Sequence, residues 1–171
     1  MFIDESGFDT RLTRTHARAP RGQRAHGTAP GGHWRRLTLI GALALDGICA
    51  AMTVAGATSS AVFLAFVTQV LIPALKRTRP DAVVVMDNLA AHRAAVVRHT
   101  LEQAGIAYRY LPAYSPDMNP IEQAWSKLKT NLRARAARSH EALERAIPDA
   151  LATLTPSNAQ GWFRHAGYPP H

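Results

Sequence analysis

At 171 residues the chain has room for one substantial hydrophobic core and too few residues for two. Apolar residues make up 47% of it and charged residues 19%, which excludes a disordered or low-complexity chain, and the single cysteine, Cys49, excludes a disulfide framework or a cysteine-rich metal centre. Lys and Arg number 20 against 12 Asp and Glu, and the resulting net charge of +8 suits a polyanionic partner, whether nucleic acid or an anionic membrane surface.

The opening MFIDES is acidic within five residues and is not the start of a secretory signal. Together with the lone cysteine this points to a reducing cytoplasm. Phe2-Ile3-Asp4 reads as a short strand. Residues 9–36 carry Arg11, Arg14, Arg18, Arg21, Arg24, Arg35 and Arg36 among prolines and glycines, the composition of a basic loop. Trp34 reads as a hydrophobic anchor at its end.

The stretch Leu37–Gly56 is apolar enough to raise a membrane span. Asp46-Gly47 sits in its middle, where a carboxylate at bilayer depth is costly. The same pair between two apolar runs is a hairpin signal, because both residues accept positive φ. Strands over 37–45 and 48–54 are therefore expected, and no membrane. Phe63, Phe66, Val67, Val70, Leu71 and Ala74 recur at helical spacing. Ala82 to Met86 is a continuous apolar run, as in a strand buried on both faces. A helix follows over 93–104, with Val97, Leu101 and Ala104 inward and Gly105 ending it. Residues 106–111 read as a strand. Beyond the loop PAYSPDMNP, Ile121, Ala124, Trp125, Leu128 and Leu132 mark a long amphipathic helix with Trp125 in the core. Leu143, Ile147, Ala150, Leu151 and Leu154 mark a last one. This order predicts a single α/β domain over 1–171: a three-stranded antiparallel meander extended by parallel strands, flanked by helices.

Three acids stand where metal ligands belong. Asp4 ends the apolar part of the first strand, and Asp87 follows the VVVM strand at the edge where open α/β sheets gather ligands. Glu122 lies in the first turn of the long helix. The 34 residues between Asp87 and Glu122 suffice for one helix, one strand and a return to the same edge. Two Mg²⁺ ions about 4 Å apart need several hard carboxylate oxygens. Each acid also has a plainer explanation. Asp4 ends a strand, Asp87-Asn88 makes a turn, and Asn119-Pro120-Ile121-Glu122 has the spacing of a capping box. From the residues alone the function stays open.

FIDESGF, VVVMDNLAAH and LPAYSPDMNPIEQAWSKLK resemble the three catalytic blocks of the mariner-like DDE transposases, most nearly the bacterial insertion-sequence branch. ARAPRGQR and WRRLTLIGAL resemble its connecting segments, so the likeness runs along nearly the whole chain. The resemblance implies an RNase H-like fold, a metal-binding catalytic triad of Asp4, Asp87 and Glu122, and two Mg²⁺ ions for which Mn²⁺ can substitute. It implies double-stranded DNA, as transposon ends and target, and a homodimer in the active complex. It further implies cleavage at the ends followed by 3′-hydroxyl strand transfer. Members of that family carry a helix-turn-helix region before the first catalytic strand. None is evident here, and the expectation is the catalytic half of a transposase, as a second reading frame, a fragment or a decayed copy; in the first case a separately encoded helix-turn-helix half is a partner. A catalytically silent DNA-binding remnant and another RNase H-like nuclease are the competing readings.

Asn88 and His92 match the family's DN-x-x-x-H pattern and are expected behind Asp87, orienting it, holding water or meeting phosphate. Glu5 points to the strand face opposite Asp4 and is not expected to share the metals. Asp46 and Asp117 are turn residues. Ser126, Lys129 and Arg133 fall on the helical stripe of Glu122. Arg18, Arg21, Arg35, Arg36, Lys127, Lys129 and Arg133 are the expected DNA contacts.

Overall fold

The computed structural model describes residues 1–14, 16–28, 31 and 36–168; the expected roles of Trp34 and Arg35 fall outside them. Five strands form one mixed sheet: β1 (Phe2–Phe8), β2 (Leu37–Ala44), β3 (Gly47–Ala55), β4 (Val84–Met86) and β5 (Tyr108–Tyr110), in the order β3-β2-β1-β4-β5. β1 runs antiparallel to β2 and parallel to β4, and β4 runs parallel to β5. This is the expected meander with parallel additions.

Alternation along the central strand β1 divides its side chains between two cores. Phe2 and Phe8 face the helices α4 (Ile121–Arg135), α5 (His140–Leu151) and α6 (Pro156–His165). Ile3 faces the other layer. That layer is α1 (Ser60–Phe66), a π-helical turn (Val67–Leu71), α2 (Ile72–Thr78) and α3 (Ala95–Gln103). Every residue of β2 is buried because both faces are covered, which is why its sequence is apolar without alternation. Each fully buried Phe or Leu in these layers contributes roughly 1.5–3 kcal/mol. The stretch Ser60–Thr78 is long and apolar enough to cross a membrane by length and composition. Here its stripe of Phe63, Phe66, Val67, Leu71 and Leu75 packs into the core.

Several boundaries differ from expectation. The β2–β3 turn is Leu45-Asp46, and Gly47 opens β3 at φ 120, a value that favours glycine. No capping box forms at α4. Pro120 is its N-cap without a side-chain bond, and the N–H of Glu122 donates to the Asn119 carbonyl at 3.1 Å. Glu122 is thereby released from a capping role. The sequence reading stops one helix short, since α6 follows α5 with its own start signal. There Thr155 and Asn158 exchange side-chain bonds in a capping box, with proline in the first turn.

Candidate active site

The parallel pairing of β1 with β4 positions two of the acids. Phe2 is level with Val85, and the same register two residues on sets Asp4 level with Asp87, where β4 ends. Neighbouring strands lie about 4.8 Å apart. Glu122 arrives from above, on the exposed side of the first turn of α4. Asp87, Asn88, Leu111, Asn119, Glu122 and the loop 112–116 line one recess of about 460 Å³. Asp4 lies beneath α4, 7% exposed, with Oδ2 accepting the indole N–H of Trp125 at 3.1 Å. Burial, and then the charge of Glu122, push the Asp4 carboxyl up to about 7, with smaller contributions from Glu5 and Asp87 and an opposing one from the Glu5 backbone N–H. Asp4 thus feels the charge of both other acids. Among the described residues, no group of three His, Cys, Asp or Glu side chains is gathered closely enough to hold a metal ion.

Asp87 is held from the opposite layer. Its Oδ1 accepts the Leu89 backbone N–H at 3.0 Å and meets Nδ1 of His92 at 2.6 Å. Burial opposes ionisation of Asp87, but these two donors outweigh it and hold the carboxyl below its ordinary range. His92 has no exposed surface; its Nε2 meets Oε2 of Glu5 at 3.1 Å. Burial opposes a charge on His92, yet the two carboxylates outweigh it and raise its pKa to about 9. The Phe63 ring lies 4.1 Å from the His92 ring, and the Tyr110 hydroxyl donates to the His92 carbonyl at 3.0 Å. Asn88 does not reach Asp87. Its side-chain amide donates to the Leu111 carbonyl and ties the β4 loop to the end of β5.

The profile of the DDE superfamily endonucleases matches residues 1–144, which takes in all three acids. The chain belongs to that family. Among solved structures it is similar to a Mos1 transposase paired-end complex with left transposon end, at 22% identity and TM-score 0.79, covering 98% of this chain and 51% of that one. It is similar to the Mos1 strand transfer complex at 23% identity and TM-score 0.72, covering 96% and 51%. The catalytic domain of Mos1 mariner transposase matches at 18% identity and TM-score 0.63, covering 98% and 78%. These likenesses establish the RNase H-like fold. The chain spans about half the length of the first two. Comparison with curated proteins gives no match.

In this DDE-family endonuclease the expected DNA-contacting cations separate into groups. Lys129 and Arg36 share a recess of about 410 Å³ with Gly7, Phe8, Asp9 and Arg11, and Lys129 Nζ stands 5.9 Å from the centre of the Phe8 ring. Arg133 lines a larger recess of about 610 Å³ with Arg14, His16, His26 and Arg138, which holds none of the three acids. Size does not locate the chemistry here; the acids do. Arg18 and Arg21 are exposed on the loop. Lys127 turns the other way, donating to the Thr153 carbonyl at 2.9 Å and to the Asn158 side chain, so it pins the α5–α6 connection.

Two participants escape the sequence reading. Trp125 is found as a core residue by its helical period, but its N–H is aimed at Asp4. A buried indole needs a partner for that group, and this was the available signal. Glu5 is correctly placed on the far face of β1, and there it meets His92.

Proposed function

We propose that the chain is the catalytic domain of a DDE transposase, cleaving double-stranded DNA at transposon ends and joining the freed 3′-hydroxyl to target DNA. One observation carries this reading: β1, the end of β4 and the first turn of α4 bring Asp4, Asp87 and Glu122 to one edge of the sheet within a family of endonucleases. Asp4, Asp87 and Glu122 would hold Mg²⁺, with Mn²⁺ as a substitute. Carboxylate oxygens are the hard donors such ions take. The raised pKa of Asp4 is the mark of negative charge gathered in a buried place, which a divalent cation would neutralise. Bound there, the metal supplies charge stabilisation at the phosphoryl oxygens and lowers the pKa of the attacking oxygen.

The protein's own groups do the positioning. Trp125 holds Asp4 and His92 holds Asp87, each by one oxygen, which leaves the other oxygen for the cation. Arg36, Lys129 and Arg133 would take the DNA backbone on either side, as phosphate contacts that position without selecting sequence. In the first step a water oxygen attacks phosphorus and the P–O3′ bond breaks, leaving a 3′-hydroxyl and a 5′-phosphate. In the second that hydroxyl attacks a target phosphate and displaces its 3′-oxygen. The similar Mos1 structures include a paired-end complex and a strand transfer complex, which supports a homodimer working on two ends. We assign end selection to a helix-turn-helix element outside residues 1–171, and the setting to the bacterial cytoplasm.

The test is nicking of supercoiled plasmid in Mg²⁺. Asp87→Asn and Glu122→Gln are expected to abolish it in folded protein, Mn²⁺ to support it, and Ca²⁺ to bind without turnover. Undiminished nicking by Asp87→Asn overturns the reading.

A further inference from the structure

Glu5 is a buried carboxylate with a single ion-pair partner, His92, among the described residues. Its side chain is 10% exposed, and among the described residues no hydrogen bond reaches either oxygen, so the ion pair with His92 is what compensates it. Its neighbour on the same face, Ile3, sits in the apolar core. Burying an acid there is costly before pairing, and a hydrophobic side chain would often serve stability as well or better. The position calls for a reason beyond packing.

The geometry gives one. His92 is enclosed: Phe63 lies against its ring, Tyr110 holds its carbonyl, and its two nitrogens meet two different carboxylates. With Glu5 at Nε2, the ring has one orientation, and that orientation directs Nδ1 to Asp87 Oδ1 at 2.6 Å. The Leu89 N–H takes the same oxygen at 3.0 Å, so both of these contacts fall on Oδ1 of a residue that lines the recess. β1 therefore sets two acids at once. It carries Asp4 on one face and, one residue on, it anchors Asp87 from the other face through His92. We propose that Glu5 is a positioning residue of the metal site, fixing His92 so that Asp87 presents a single oxygen to the cation. This rests on the metal-binding reading above.

The experiment titrates the 171-residue protein with Mn²⁺ alone, followed by electron paramagnetic resonance, in the wild type, Asp87→Asn, Glu5→Leu, Glu5→Gln and Leu101→Ala. Removing a partner that orients a metal ligand typically weakens metal affinity about 10–100-fold. That loss is expected for Glu5→Leu. Glu5→Gln keeps an acceptor for Nε2 and is expected between Glu5→Leu and the wild type. Leu101→Ala opens the same buried layer beneath α3, lowering Tm while leaving Mn²⁺ affinity unchanged, which separates positioning from general destabilisation. In metal-free protein, the ¹⁵N-detected His92 ring N–H signals are expected in the wild type and lost in Glu5→Leu. If Glu5→Leu fails to fold, Glu5→Gln decides. Wild-type affinity in both Glu5 variants, with binding lost in Asp87→Asn, overturns the proposal and leaves the metal reading standing. Wild-type affinity in Asp87→Asn overturns both.

Discussion

The indole of Trp125 is seated over Gly41 on β2, and that seat aims its N–H at Asp4. A Cβ on Gly41 would lie 2.6 Å from Cη2 and 3.3 Å from Cζ2 of Trp125, closer than van der Waals contact allows. Gly41→Ala is thus expected to push the ring away and break the 3.1 Å bond to Asp4 Oδ2. Overpacking of this kind costs about 1–3 kcal/mol. Trp125→Phe removes the donor with less disturbance of the core and leaves a buried carboxylate oxygen unmet, a loss of about 1–3 kcal/mol. Both variants are expected to lower nicking more than their thermal midpoints explain, with kcat falling and KM for DNA held. A Trp125→Phe protein with normal kcat would show that the indole is packing alone.

The titrating groups set a pH dependence for metal-free protein. Asp4 is raised from 3.8 to about 7, chiefly by burial and then by Glu122, and His92 is raised from 6.5 to about 9 because Asp87 and Glu5 outweigh burial. Native protein therefore binds more protons than unfolded chain across this window, so stability falls as pH rises. The Asp4 contribution is whole below about 4 and lost through about 7; the His92 contribution is whole below 6.5 and lost through about 9. Asp87, held below its ordinary value, acts oppositely and loses its contribution as pH falls into the acid range. Tm in chelator is expected to decline between pH 6 and 9, and Mg²⁺ to flatten the Asp4 part of that decline. A Tm in chelator that rises over this interval would contradict both assignments.

What the sequence reveals and what it hides follows from the range of each signal. The places of Asp4, Asp87 and Glu122 are legible because a strand end and a helix first turn mark where a side chain emerges, whereas their role as a triad comes from the family resemblance alone. Their approach at one edge then follows from the topology that the element order predicts. The face of Glu5 is legible too, since alternation fixes it. Its partner is not, because alternation says nothing of which distant residue stands opposite, and His92 comes from the turn before α3. Lys127 misleads for the same reason. Its place in a basic run suggests a DNA contact, but α5 and α6 close over that side of α4 and supply Thr153 and Asn158. The capping box read at Asn119 fails because Pro120 itself takes the N-cap position.

That reassignment of Lys127 is open to measurement. Each cation that neutralises one phosphate contributes about one unit to the slope of log affinity against log salt. Replacing Lys129 and Arg133 together by alanine is expected to lower the slope by about two. Lys127→Ala is expected to leave the slope unchanged and lower Tm, having lost its contacts to the α5–α6 connection. A reduced slope in Lys127→Ala would return that residue to the DNA surface.

The Arg36 guanidinium lies directly over the backbone of Gly7, in the recess shared with Lys129. A Cβ on Gly7 would fall 2.7 Å from Nη2 and 2.8 Å from Nε of Arg36. The atoms in the way are the end of a flexible side chain, so Gly7→Ala is expected to displace the guanidinium at little cost in stability. The absence of a side chain at Gly7 is then what lets the cation lie flat against β1, facing Lys129 on α4. If Arg36 meets phosphate from that position, Gly7→Ala and Arg36→Ala weaken DNA binding alike, by about one unit of salt slope each. Their combination adds nothing further, because both remove the same contact. Binding measured against a random-sequence duplex over a range of salt concentrations checks this. Normal affinity in Gly7→Ala beside weakened affinity in Arg36→Ala would mean that the guanidinium reaches DNA from some other placement than the one over Gly7.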